Sequence, residues 1–254
     1  MTLRSVVVRP LLVALALLGG AVPARADNVT VFSSVAMRAV IEDLARRFER
    51  ETGHHVVATF GLAAALKGRI EGGEAFDLAV LTPAQIDDLI GRGRASAASR
   101  AVIARTGLGL MVRAGAPRLD VGTPDAFTRT LLAAKSVTYV PAGASGAAFL
   151  AIAKDLGIAR ALESKTKPAA SGDEVNANVT SGAAEMAVLP VSEILPVKGA
   201  ALGGVFPPAL QTYIVMAGAA SNTAPPAARE FLARLMAPSS DGVIAASGME
   251  RVTP

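Results

Sequence analysis

The chain has no cysteine and no tryptophan, and only two tyrosines and two histidines in 254 residues. Each scarcity excludes something. Without cysteine there is no disulfide framework, thiol nucleophile or zinc–thiolate site, so stability must come from a buried core. The histidines are adjacent, His54 and His55, and neighbours on a strand point to opposite faces; no metal site and no cofactor is expected from them. Few aromatics, and none interleaved with basic residues, argue against nucleic acid as a partner. The basic excess, 25 against 21, is partly local. Arg4, Arg9 and Arg25 lie within the first 26 residues, and without them the balance is 22 to 21.

Those 26 residues read as an export signal. Arg4 and Arg9 precede the apolar run LLVALALLGGAV, and Ala24-Arg25-Ala26 offers a small-x-small cleavage site. The run is too short and wrongly flanked for a membrane anchor. The expectation is a periplasmic protein whose mature chain starts at Asp27.

From Asp27 the pattern alternates. VTVFSS is a β-rich run, and AVIEDLARRFERETG carries Val40, Ile41, Leu44 and Phe48 at helical spacing with Gly53 as its stop. HHVVATFG, then LAAALKGRIEGG, then FDLAVLT, then PAQIDDLIGRG continue strand, helix, strand, helix, the last with Pro83 in its first turn. This order implies a parallel sheet covered by helices. TGLGLMVRAG then reads as a strand without a helix directly behind it. A second α/β series follows, through SVTYVP, a helix over 146–156, another around 173–181, and the strand AEMAVLP. QTYIVMAG is a second unaccompanied strand, and a good helix with a short terminal one closes the chain. The expected fold class is α/β with two lobes, each a mostly parallel sheet flanked by helices. Residues 27–108 and 209–254 form the first lobe and 109–208 the second, joined by two hinge crossings near 106–114 and 205–216.

Ligands of parallel α/β units gather beyond the carboxyl ends of the strands, where helices start. The strand-to-helix turns here contain Ser33 and Ser34, Gly61, Thr82, Ser145 and Gly146, and Gly172. They are small, hydroxyl-bearing and nearly uncharged. Backbone N–H groups at several helix starts, with a few hydroxyls, suit a compact anion. The stretch VPAGASGAAFLAIAKDLGI poses the question sharply, because its helix begins almost without side chains. Either the bare turn allows close packing, or it presents N–H groups to an anion.

Taken in order, VTVFSS, RRFERETGHHV, LKGRIEGGEAFDLAVLTPAQIDDLI, GASGA and GAAEMAVLPVSEILPV resemble the periplasmic molybdate-binding-protein-like solute receptors of ABC importers. The resemblance covers the whole mature chain. It implies the two-lobed periplasmic-binding-protein fold, an anion in the interlobe cleft, a monomer, and an ABC transporter permease as partner. It also exposes departures. Molybdate binders of this type place a hydroxyl where this chain has Ala36, another around Leu62 to Ala64, and a Tyr hydroxyl where it has Pro190. Losing a donor to a dry oxyanion costs about 1–3 kcal/mol each, so a small organic carboxylate fits better than molybdate. Lys67, one turn into its helix, is a candidate partner for such a carboxylate. Some proteins resembling this branch are periplasmic aconitate isomerases, which move a proton across an allylic carbon; that is the rival reading. No motif marks a catalytic base; the titratable candidates are Tyr213, Glu193, Lys67 and Asp77.

Overall fold

A computed structural model describes residues 26–252; apart from Ala26, the export-signal expectation lies outside the described residues. The first series gives β1 (Asn28–Ser34), α1 (Arg38–Thr52), β2 (His55–Gly61), α2 (Ala63–Glu71), β3 (Leu78–Leu81), α3 (Pro83–Gly91) and β4 (Ala101–Thr106). The second gives β5 (Leu108–Arg113), α4 (Pro124–Ala133), β6 (Val137–Tyr139), α5 (Ala144–Asp155), α6 (Ala159–Leu162), β7 (Thr166–Pro168), α7 (Gly172–Ser181), β8 (Met186–Pro190), α8 (Val191–Ile194) and β9 (Ala200–Val205). The chain ends with β10 (Ile214–Ala220), α9 (Pro226–Met236) and α10 (Asp241–Ala246).

The strands form two five-stranded sheets, ordered β2-β1-β3-β10-β4 and β7-β6-β8-β5-β9. In the first, β1 is parallel to β2 and β3, and β10 runs antiparallel to both β3 and β4. In the second, β6 is parallel to β7 and β8, and β5 runs antiparallel to both β8 and β9. Each sheet therefore has one reversed strand, and it is the strand that enters from the other sheet. β4 and β9 leave their sheets at the carboxyl ends of the parallel strands. A strand arriving there must run away from that end.

The first crossing is shorter than expected, a single Gly107 between β4 and β5. The second spans 206–213, and Gln211 ties the two together. Its Oε1 accepts the Leu108 N–H at 2.7 Å, and its Nε2 donates to the Leu108 and Phe206 carbonyls at 3.2 and 3.3 Å. A side chain on Gly107 would meet that amide at 3.0 Å, so a larger residue there would press on the tie between the crossings.

Helices cover both faces of each sheet, which is why the parallel strands are apolar on both sides. Val29 and Val31 of β1 point into the cluster under α1 and α9, where Phe48 and Phe231 meet at 5.3 Å between centroids. Phe32 points the other way, among Leu66, Ile70, Ile86 and Leu89 of α2 and α3. In the second sheet Val175, Val179 and Ile194 cover one face, and Phe127 and Phe149 the other. Each such side chain contributes about 1.5–3 kcal/mol by leaving water. β7 and β9 were not anticipated, because TKP is too short and AALGGV too rich in glycine for periodicity to mark, and β4, AVIART, was not anticipated either.

Candidate functional site

In each sheet the chain order turns back at one place, between β1 and β3 and between β6 and β8. Ligands of open α/β sheets bind beyond the strand ends at such points. A cavity of about 230 Å³ lies there, walled by the ends of both sheets: Ser34, Gly61 and Thr82 on one side, Val140, Leu189 and Pro190 on the other. Leading turns of helices complete it, with Leu62, Ala63 and Ala64 at α2, Gly143, Ala144 and Ser145 at α5, and Gly172 at α7.

Two of these helices are uncapped. The residues before the first turns of α2 and α5 are Leu62 and Gly143, and neither supplies a side-chain cap. Intrahelical bonding starts with Leu66 N–H to Leu62 and Ala147 N–H to Gly143, which leaves the N–H groups of Ala63, Ala64, Ala144 and Ser145 without intrahelical acceptors. The other two helices that begin at the cavity are capped, α3 by Thr82 with Gln85 and α7 by Ser171. Bare N–H groups and the positive ends of two helix dipoles thus converge on one small space.

The structure sorts the expected residues. Ser34, Gly61, Thr82, Ser145 and Gly172 line the cavity. Ser33 does not, because it is fully buried and its hydroxyl donates to the Ser34 carbonyl at 3.0 Å. Gly146 is turned away. A Cβ there would fall far inside van der Waals contact with the Val140 carbonyl oxygen, so this glycine lets α5 pack on the end of β6. Lys67 is committed elsewhere, its Nζ lying 2.7 Å from Glu71 and 2.6 Å from Asp88 on α3. Those two hydrogen bonds raise the Lys67 pKa, with Asp88 the larger cause. Tyr213 is 45% exposed at the second crossing, with the Arg105 guanidinium 4.2 Å from its ring centroid. Asp77 accepts the Thr30 N–H at 2.7 Å and holds β3 to β1.

Two groups at the site escaped the sequence reading of ligand contacts. Gln85 lines the cavity. Its Oε1 accepts the Thr82 hydroxyl at 2.8 Å and the Thr82 N–H at 3.2 Å, a capping-box arrangement. The backbone donor fixes which end of the amide is oxygen, so Nε2 is left as a donor without a partner among the described residues. The Thr82-x-x-Gln85 spacing was the available signal. Glu193, weighed above only as a candidate base, is the ionisable side chain on the cavity wall. Its carboxyl is pushed up to about 7 by burial, opposed by Arg38 and assisted by Asp173. Arg38 itself lies over the Phe60 ring at 4.5 Å and pairs loosely with Glu42 at 3.8 Å.

The apolar replacements noted in the sequence, Ala36, Leu62 to Ala64 and Pro190, all face this cavity. Residues 29–250 match the model of the family described as bacterial extracellular solute-binding protein. An aconitate isomerase from a Pseudomonas species is 26% identical over 236 residues, 89% of this chain and 88% of that protein. The molybdate-binding protein of Azotobacter vinelandii is 27% identical over 241 residues, covering 89% and 90% of the two chains. The solved periplasmic molybdate-binding protein of the same organism superposes with a TM-score of 0.74 at 21% identity, over 89% of this chain and 99% of that one.

Proposed function

This chain belongs to the bacterial extracellular solute-binding protein family, and from that membership we propose that it is exported, with cleavage after Ala26, and captures a small anion for an ABC-type importer. The two sheets act as lobes, 27–108 with 209–254 and 109–208, closing on the ligand about the paired crossings. The observation that carries this reading is the convergence of uncapped helix starts from both sheets on one cavity. The ligand is a small organic carboxylate before a tetrahedral oxyanion, because Ala36, Leu62 to Ala64 and Pro190 replace hydroxyl donors with apolar wall. The test is calorimetric titration of purified protein with molybdate, sulfate, citrate and trans-aconitate. Saturable binding of a carboxylate tighter than of molybdate supports the reading; no binding of any of the four refutes it.

One observation favours a second reading, an allylic proton-shift isomerase similar in activity to the aconitate isomerase it resembles. Glu193 is an acid–base group on the cavity wall whose pKa lies near neutrality, where general acid–base catalysis is most effective. In that reaction the ionised carboxylate takes a proton from the sp³ carbon, the electron pair spreads over the allyl unit, and the same proton returns at its far end. Ultraviolet monitoring of cis- and trans-aconitate separates turnover from binding without change.

A further inference from the structure

Glu193 lies between two cavities. On one side is the ligand cavity; on the other is a side chamber of about 250 Å³ reached past Val35 and Gly172. Its carboxylate sits close to the start of α7, with Oε2 3.3 Å from where a Gly172 Cβ would stand. The chamber is large enough for several water molecules and opens to solvent beside the half-exposed side chains of Arg38 and Glu42. The charged groups facing Glu193 are Arg38 and Glu42 from α1 and Asp173 from α7. β8 and β9 bring no charge, and the one charge on β5, Arg113, lies at its far end against Gly182.

An anion entering the ligand cavity meets a carboxylate already on its wall. Like charges in so small a space cannot both persist cheaply, and a proton on Glu193 removes the conflict while supplying a hydrogen-bond donor. The ligand itself blocks the cleft side, so the proton must come through the chamber. We infer that Glu193 is a proton-binding member of the ligand site and that the side chamber is its water path to solvent, so that anion capture takes up a proton. The near-neutral pKa of the carboxyl makes this uptake measurable in the ordinary pH range. The inference rests on the anion-capture reading above and deepens it.

The experiment is calorimetric titration with trans-aconitate and with sulfate, in buffers of different ionisation enthalpy, for the wild type and Glu193→Gln. With Glu193 near 7, uptake should approach one proton per ligand at pH 8, and affinity should fall about tenfold per pH unit above 7. Glu193→Gln should bind with no proton uptake and a flat pH profile. Wild-type binding without uptake, or uptake that survives in Glu193→Gln, overturns the inference and leaves anion capture standing. Absence of binding by either probe in both proteins overturns the capture reading and the inference with it. Ser192→Leu, which narrows the chamber, should slow proton exchange at Glu193, read by NMR without ligand; unchanged exchange in a folded variant would remove the chamber from the path.

Discussion

The carbonyl oxygen of Val140 occupies the place a Gly146 side chain would need. The bare turn of GASGA therefore serves both purposes raised by the sequence, divided by residue. Gly146 allows α5 to pack on the strand end, while Gly143, Ala144 and Ser145 face the cavity. Gly146→Ala should lower ligand-free stability by at least about 2 kcal/mol, since backbone must move to admit the methyl group. Gly146→Asp should lower it further. Thermal melting without ligand checks both, and an unchanged melting temperature would contradict the packing role.

Lys67→Gln should leave anion affinity within about twofold of the wild type. Its amino group serves α2–α3 packing through Asp88 and Glu71. The linkage has a definite sign. Hydrogen bonds from Lys67 and Arg92 hold Asp88 below the usual carboxylate range. Its stabilising contribution is therefore full at neutral pH and lost as pH falls through that lowered value. The melting-temperature gap between the wild type and Lys67→Gln should close in acid. A large loss of affinity at pH 7 would return Lys67 to the site.

What the sequence discloses, and what it withholds, follows from the range of the forces involved. Alternating strands and helices are local, so β1 to α3 were readable from periodicity within a residue or two. The departures at Ala36, Leu62 to Ala64 and Pro190 were readable only against the resemblance to molybdate-binding receptors, which says where hydroxyls would stand. Direction was not. Lys67 was readable as a charge one turn into its helix, but only the packing of α3 on α2 brings Asp88 under it. Glu193 sits in VSEIL without a motif. It becomes a site residue because α8 packs beside Val35 and Gly172, contacts that join distant parts of the chain. Ser33 and Ser34 differ for the simplest reason: neighbours on a strand point oppositely.

Glu193→Gln should stabilise the ligand-free protein in a pH-dependent way. The folded pKa, about 7, is raised above the ordinary carboxylate value. Between roughly pH 4.5 and 7 the folded state thus binds more protons than the unfolded one, and stability falls as pH rises. The amide escapes that penalty, at most about 3 kcal/mol and less with chamber water screening the charge. The two melting curves should nearly coincide at pH 4.5, separate up to about pH 7, and stay a constant distance apart above it. Equal separation at pH 4.5 and 8 would show that Glu193 titrates normally.

Gln85→Glu tests the donor role assigned to the Gln85 amide. Glutamate preserves the acceptor of the capping box, so the Thr82 bonds and the start of α3 should survive, with little change in melting temperature. The cavity, however, loses an N–H donor and gains a negative charge. Repulsion across several ångströms at an effective dielectric near 20 amounts to about 2 kcal/mol or more, a loss of affinity of at least tenfold at pH 7. Retained affinity would place the amide outside the ligand's reach.

Ala36→Ser decides how far ligand choice lies in the missing hydroxyls. Ala36 is only 3% exposed yet lies on the cavity wall, so an added hydroxyl has little to bond except the ligand. A tetrahedral oxyanion displaces on the order of two or three waters, roughly 60–90 Å³, and leaves much of the 230 Å³ cavity unfilled. A hydroxyl aimed at a charged oxygen adds about 1.5–3 kcal/mol, so sulfate and molybdate affinity should rise roughly ten- to a hundredfold. A carboxylate ligand that already fills the space gains no comparable donor and loses room, so its affinity should stay level or fall. Isothermal titration of both anion classes against the variant gives the ratio. If oxyanion affinity does not rise while the fold is intact, the apolar wall is not what disfavours the small oxyanion, and ligand choice must reside in Gln85, Glu193 and the uncapped helix starts.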